Sequence, residues 1–197
     1  MKVAAQVTMD CRWNGKRLPV RSYLPELLDL AFWTGHRIGA IRQLQYCDFQ
    51  LDEGPHGAIR WPVQTDKTGK PHTVPMNEPT RAAVRRAMAA RPGVGKAYLF
   101  PSPTDRAEPI KPQLVRDWLL RAETLAGLPK LGQGCWHPYR RGFASMRKDM
   151  PIVDLARAGG WAESGETIRR CYQHPDEATL REVVDVGVER WREAIGS

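Results

Sequence analysis

Apolar residues recur with helical spacing near the start of this chain. From Leu24 to Phe32 they return every three or four positions, which predicts an amphipathic helix that Gly35 ends. A second short helix is predicted to begin at or near Arg37, again with its apolar residues on one face. Residues 1–21 are polar and basic without a clear period, and we assign them to a linker or N-terminal extension.

Strand-like stretches replace this spacing in the second quarter of the chain. Residues 49–51, 57–63 and 72–76 contain β-branched and aromatic side chains, and they predict a small antiparallel sheet of two or three strands. The polar turn QTDKTGK separates the last two and places Lys67 on a hairpin. Because proline cannot donate to a β ladder, Pro62 predicts an edge position for its strand.

Helical spacing then returns and continues to the end of the chain. The first predicted helix covers 77–91 and opens with a cap region, Asn-Glu-Pro-Thr, at residues 77–80. After a loop-rich stretch at 93–112, the predicted helices cover 113–128, 139–150, 151–160, 165–174 and the tail from Glu177. This order predicts a mainly α chain with a small antiparallel β-sheet, an α+β fold. We divide it into a domain over residues 22–176 and a C-terminal helical tail over residues 177–197.

Charge is distributed unevenly along the 197 residues. The whole chain carries +8, and residues 173–197 hold six acidic residues against three arginines, or −3, which leaves +11 on residues 1–172. A basic body predicts a polyanionic partner, most simply double-stranded DNA. No apolar run reaches the roughly 20 residues of a membrane span, and no signal-peptide core is present, so we expect no membrane partner and a cytoplasmic location.

The remaining composition excludes several kinds of site. The four cysteines are scattered without a CxxC pair, so neither a zinc site nor a disulfide framework is indicated. No acidic cluster accompanies the basic stretches, which argues against a metal-dependent nuclease. Cleavage of a phosphodiester without a metal requires a nucleophile, a proton donor for the leaving oxygen, and cations around the phosphate oxygens.

Four stretches in order suit that chemistry: TGHRIGAIRQLQYCDF, TDKTGKPHTVPM, HPYRRGFAS and AGGWAESGETIRRCYQHPDE. They resemble the first-arginine box, the lysine hairpin, the His-x-x-Arg box and the nucleophile segment of the tyrosine recombinases, or phage-type integrases. The resemblance covers about residues 24–182. It implies the catalytic-domain fold of that family, and site-specific DNA recombination through a 3′-phosphotyrosyl intermediate without metal or other cofactor.

The resemblance assigns a role to each matching residue. Tyr172 would be the nucleophile, and Lys67 the general acid that protonates the departing 5′ oxygen. Arg37 and Arg140 would hold the scissile phosphate, which suits the planar fork of arginine. His137 would hydrogen-bond a phosphate oxygen and assist proton transfer.

Three further residues belong to the predicted site. Trp161 stands where the family most often has a second histidine. An indole N–H donates one hydrogen bond but cannot shuttle a proton, so we expect Trp161 to bind and pack. Lys70 competes with Lys67 for the lysine role and is a candidate DNA contact. Arg141 is expected to touch the flanking backbone or an acidic neighbour.

The chain departs from the family pattern in several places. Trp161 precedes Tyr172 by eleven positions, a longer interval than is common, Tyr139 replaces the usual leucine, and Pro138 replaces an acidic residue. The family's N-terminal DNA-clamping domain is not recognisable before Leu24. We therefore expect either an excised catalytic domain or a protein that works without the clamp.

Alternatives remain for the function and for single residues. A DNA-binding regulator with the same fold would not cleave DNA, and a type IB topoisomerase would share the chemistry. Arg37 could instead pair with Asp48, a common structural role. The resemblance implies a homo-oligomer that is a tetramer on DNA, with the tail contacting a neighbouring protomer. It leaves open a monomer in solution.

Overall fold

The computed structural model describes residues 4–13, 16–62, 71–129, 134–171, 177–186, 188 and 192–193. Its helices are α1 Leu24–Thr34, α2 Ile38–Ile41, α3 Glu78–Ala90, α4 Pro112–Leu125, α5 His137–Ser145, α6 Ile152–Gly159, α7 Glu166–Cys171 and α8 Glu177–Asp185. Its strands are β1 Thr8–Trp13, β2 Lys16–Arg21, β3 Phe49–Gln50, β4 Ala58–Trp61 and β5 His72–Pro75. The predicted mainly α fold with a small antiparallel sheet is confirmed. Among the described helices, none has the length and apolar character that crossing a bilayer requires.

Local sequence signals set the ends of two long helices. The Asn77 side chain precedes α3 and accepts hydrogen bonds from the backbone N–H of Thr80 at 2.9 Å and from its hydroxyl at 2.6 Å. One of the donors that a helix N-terminus leaves open is thereby satisfied. Helix α1 ends at Gly35, whose φ of 66° is the left-handed conformation that glycine adopts without steric cost. The predicted cap and the predicted stop are both confirmed.

The three-stranded sheet has the order β3-β4-β5, with both neighbours antiparallel to the central β4. The prediction that Pro62 marks an edge strand is therefore wrong. Strand β4 ends at Trp61, and the pair Trp61 and His72 is the last rung of the β4–β5 ladder. Because Pro62 follows that rung, its missing N–H removes no ladder hydrogen bond.

The N-terminal residues contain a hairpin that no element of the sequence analysis predicted. Strands β1 and β2 pair antiparallel from Thr8 with Arg21 to Trp13 with Lys16. The alternation of apolar and polar residues in TMDCRW is a period-two signal for the first strand. The second strand contains Pro19, which a two-stranded ribbon tolerates because both of its strands are edges.

The buried apolar side chains form two clusters that meet along α5. The main cluster lies between α1, α3, α4 and the sheet, and its largest fully buried members include Trp61, Phe100 and Trp118. The second, smaller cluster contains Phe143, Ala144, Leu155, Ala156, Trp161 and Ile168. Tyr139 packs on the main cluster and Phe143 lies in the second, so one helix contacts both. The predicted site residues on α5 lie at this junction.

Candidate functional site

Arg140 lies buried within α5, with 3% of its surface exposed. Its Nη1 donates to the carbonyl oxygens of Gly35, just after α1, and Gly159, the last residue of α6. Its Nη2 donates to the carbonyl oxygen of Gly160 at 3.1 Å. The last carbonyls of a helix lack intrahelical partners and carry the negative end of its dipole. One guanidinium therefore satisfies the C-terminal ends of two helices.

Trp161 lies against this guanidinium. The Cζ atom of Arg140 is 3.6 Å from the centroid of the indole, within the range of a cation–π contact. The backbone N–H of Trp161 donates to the carbonyl of Ala156 at 2.8 Å, and Gly160 has a φ of 65°, as in a Schellman-type helix ending. The side chain is 4% exposed. It packs as expected, and its role in DNA binding stays a prediction.

Arg37 is placed by the turn between α1 and α2, where it is the residue before the first turn of α2. Its side chain is half-buried. The alternative ion pair with Asp48 is not formed, because the Asp48 carboxylate accepts from Nη2 of Arg60 at 3.1 Å and from the backbone N–H of Gln45 at 3.0 Å. Within the described ranges no carboxylate forms an ion pair with Arg37.

His137 begins α5, where its side chain is exposed and lies near three arginines. Burial lowers the pKa of its imidazole below the usual value, and the charges of Arg140, Arg141 and Arg37 lower that pKa further. The ring is therefore neutral at neutral pH, and a neutral imidazole can both donate and accept a hydrogen bond. Arg141, which is half-buried on α5, is close enough to act on that ring.

Three predicted residues lie outside the described part of the chain: Lys67, Lys70 and Tyr172. Their roles stay predictions. In the chain, Lys67 and Lys70 fall between the paired residues Trp61 and His72, and Tyr172 directly follows the last residue of α7. Over the described residues, no group of three histidine, cysteine or carboxylate side chains could hold a metal ion.

His36 belongs to the same region, although the sequence analysis did not predict it. The ring is 5% exposed and stacks on Trp61, with centroids 3.5 Å apart and planes 6° apart. Its Nδ1 lies 3.1 Å from the carbonyl oxygen of Thr34, and its Nε2 lies 3.2 Å from Nε2 of His72. Burial is the main reason that the pKa of His36 lies well below its usual value, and the charges of Arg140, His72 and Arg37 lower that pKa further. No spacing rule joins residues 36 positions apart, so only the structure reveals this pair.

The sequence profile of the phage integrase family matches residues 9–179. The chain belongs to the phage integrase family. A search of curated protein sequences finds no significant match. The family membership confirms the resemblance on which the predicted site was based.

Several solved structures share the fold of this integrase-family chain. A XerH recombinase in a post-cleavage complex with a palindromic difH substrate is 22% identical with a TM-score of 0.65, over 86% of this chain and 48% of that one. XerA recombinase is 23% identical with a TM-score of 0.63, over 82% and 55%. A lambda integrase dimer bound to a COC′ core site is 18% identical with a TM-score of 0.55, over 78% and 55%.

These likenesses establish the fold of a tyrosine recombinase catalytic domain. The chain spans about half the length of the recombinase chains it matches. The predicted fold is thereby confirmed at the level of the family as well as the class.

Proposed function

We propose that this chain carries the catalytic domain of a site-specific recombinase, which breaks and rejoins DNA strands through a phosphotyrosyl intermediate. The proposal rests mainly on Arg37, His137 and Arg140, because the charges of both arginines act on the His137 ring where α2 and α5 begin. Three residues from two separate sequence boxes meet there. Because Arg37 has no carboxylate partner among the described residues, this pair of arginines suits an anion such as a phosphodiester.

The two arginines would act on the phosphate in different ways. Arg140 is fixed by three carbonyl oxygens, so its charge is already oriented before any substrate binds. A cation held in advance costs no reorganisation when charge shifts between the phosphate oxygens in the transition state. Arg37 is half-buried and can turn its fork towards a non-bridging oxygen. Together they would neutralise the phosphate while the bond is exchanged.

The remaining predicted residues complete the exchange. The phenolic oxygen of Tyr172 would form a bond to phosphorus as the bond to the 5′ oxygen breaks, and Lys67 would give that leaving oxygen a proton. A 3′-phosphotyrosine and a free 5′-hydroxyl result. The neutral ring of His137 would donate a hydrogen bond to the phosphate from one nitrogen and take up the phenol proton on the other. Attack by a 5′-hydroxyl on the phosphotyrosine reverses each step, so the exchange needs no ATP.

Double-stranded DNA is the proposed partner. Residues 1–172 carry +11, and a charge of that size favours binding to the phosphate backbone. Two of the solved structures of the same fold are complexes with difH DNA or a COC′ core site. Binding should therefore weaken steeply as the salt concentration rises.

The test is covalent capture. The chain is mixed with a nicked duplex from its own element at low salt with EDTA, and protein–DNA bands that resist SDS are counted. We expect a band for the natural chain, none for Tyr172→Phe, and an undiminished band for Tyr98→Phe, a control at a half-buried tyrosine in the loop before α4. Duplex binding without any band, in this chain and in a longer form that includes any N-terminal domain, would favour a DNA-binding regulator instead. Dependence on a divalent metal would contradict the proposed chemistry.

A further inference from the structure

We propose that His36 and His72 form a hydrogen-bonded pair that positions Arg37, and that the pair works only while a single proton lies between its facing nitrogens. The binding of phosphate by Arg37 is part of the proposed function. The position of the proton between His36 and His72 does not depend on that function. His36 and His72 are therefore positioning residues, since neither is assigned a contact with DNA.

His36 attaches the turn between α1 and α2 to the end of the sheet. It stacks on Trp61 and meets His72 at 3.2 Å, and these two residues are the paired last rung of the β4–β5 ladder. One side chain thus contacts both strands at the rung where they end. The chain between those strands contains Lys67, so the same rung bounds the segment that carries the proposed general acid.

The same turn is fixed from its other side. The carbonyl oxygen of Gly35 accepts a hydrogen bond from Arg140 on α5. Gly35, His36 and Arg37 are consecutive, so the backbone before Arg37 is held between α5 and the sheet. Loss of either contact leaves the turn attached on one side only. The position of the Arg37 guanidinium then becomes less well defined.

The hydrogen-bond partners determine where the proton lies. A carbonyl oxygen only accepts, so Nδ1 of His36 must donate to Thr34. In a neutral ring the other nitrogen then has no proton, so Nε2 of His36 accepts and Nε2 of His72 donates. While His72 carries a proton on Nε2, a second proton on His36 would place two N–H groups against each other and break the bond.

The surroundings keep His36 neutral. Among the described residues, the charged and titratable groups that act on it are Arg140 from α5, Arg37 just before α2 and His72 from β5, while Trp61 on β4 carries no charge. Burial and these three groups all lower the pKa of His36. The hydrogen bond should therefore be intact at neutral pH and be lost only in acid.

The first experiment needs no DNA. Long-range ¹H–¹⁵N spectra of the free protein at neutral pH identify which nitrogen of each histidine carries the proton, with His36→Gln and His72→Gln used for assignment. We expect a proton on Nδ1 of His36 and on Nε2 of His72. A proton on Nε2 of His36, or a doubly protonated His36, would overturn the proposal whatever the protein does to DNA.

The second experiment tests the effect on Arg37. His72→Gln retains an amide N–H donor, whereas His72→Leu removes the donor, and His56→Leu serves as a histidine control outside the site. In single-turnover covalent capture we expect His72→Leu to be about tenfold slower and His72→Gln within about twofold of the natural chain. Equal losses in both variants would mean that only the ring matters, and would overturn the proposal.

A double-mutant cycle decides whether the effect passes through Arg37. In an Arg37→Lys background, we expect His72→Leu to change the rate by less than about twofold. An unchanged tenfold loss there would contradict a role through Arg37. If neither this chain nor a longer form that includes any N-terminal domain forms a covalent complex, the proposed function fails, and the same cycle is measured as duplex affinity at low salt. A tenfold effect of His72→Leu that disappears with Arg37→Lys would still support the pair, and its absence would overturn it.

Discussion

At the scale of single residues, the site depends on glycines that leave room for aromatic rings. A Cβ atom on Gly35 would lie 2.4 Å from Cδ1 of Phe143, and one on Gly159 would lie 1.9 Å from Cζ3 of Trp161. Both glycines supply carbonyl oxygens to Arg140. The close approach of backbone and ring therefore brings these carbonyls within reach of the guanidinium.

Gly159 and Gly142 offer a matched comparison, because both lie in helices and only one is crowded. A Cβ on Gly142 meets nothing within 4 Å. We expect Gly159→Ala to lower the free energy of unfolding by about 1–3 kcal/mol through overpacking against Trp161. Gly142→Ala should raise it by about 0.5–1 kcal/mol, since alanine loses less backbone entropy in a helix. Urea unfolding of the two variants measures both, and effects of the same sign would contradict this packing.

His36 makes stability depend on pH. Its pKa is lower in the folded chain than the ordinary value of about 6.5, so below that pH the unfolded chain binds more protons. Stability should therefore fall as the pH drops through about 6.5, by up to about 1.4 kcal/mol per pH unit, until the folded pKa is reached. His137 contributes in the same direction. His36→Gln should remove the His36 part of this slope in urea unfolding between about pH 7.5 and pH 5.5. Parallel curves for the two proteins would contradict it.

At the scale of elements, Arg140 on α5 and Arg37 just before α2 have different structural roles. Arg140 joins the ends of α1 and α6, whereas Arg37 forms no ion pair among the described residues. Substitutions of Arg140 and of Arg37 should therefore differ in their effects on the reaction and on folding. A substitution at the first should affect both, and one at the second should affect chemistry alone.

We expect Arg140→Lys to lower the free energy of unfolding by about 2–4 kcal/mol, because lysine cannot reach three carbonyls and leaves buried acceptors without donors. Arg37→Lys should change it by less than about 0.5 kcal/mol. Covalent capture should fall by about 100-fold in both. Chemical denaturation and single-turnover rates together test this, and equal losses of stability in the two variants would refute the distinction.

The elements also show which parts of the fold and of the site the sequence predicts. Periodicity and capping residues predicted α1 and α3, because a single apolar face and a local cap determine a helix. The position of β4 in the sheet depends on its neighbours, and Pro62 misled because it follows the strand instead of lying within it. The boxes predicted Arg37, His137 and Arg140 from residue type and order alone, and the roles of these residues stay predictions. The pairing of His36 with His72 depends on a contact between distant elements, which no local pattern encodes.

At the scale of the whole molecule, the basic body is followed by an acidic tail with apolar side chains in solvent. On α8, Leu180 is 53% exposed and Val184 is 74% exposed. They lie four positions apart and therefore on one helical face. An apolar face with negative charge around it suits the basic body of a second copy, as the predicted protomer-contact tail requires.

Deletion of residues 178–197 should weaken assembly more than strand cleavage. We expect the affinity between protomers on DNA to fall at least about tenfold, while covalent capture on a single site changes by less than about twofold. Sedimentation of protein–DNA complexes measures the first quantity. Leu180→Ser with Val184→Ser should reproduce most of the effect, and Glu182→Gln, an exposed residue on the same helix, should not. Equal loss of assembly and cleavage would refute the separation.

The hydrogen bonds of Arg140 have a consequence for the evolution of such chains. If the guanidinium joins two helix ends, a descendant that stopped cutting DNA would still need it in order to fold. Arg37, which forms no ion pair with any described residue, would be under no such constraint and would drift first. Among diverged copies of this chain, an intact Arg140 would therefore indicate only a preserved fold. An intact Arg37 would be the better sign of a gene still selected for recombination.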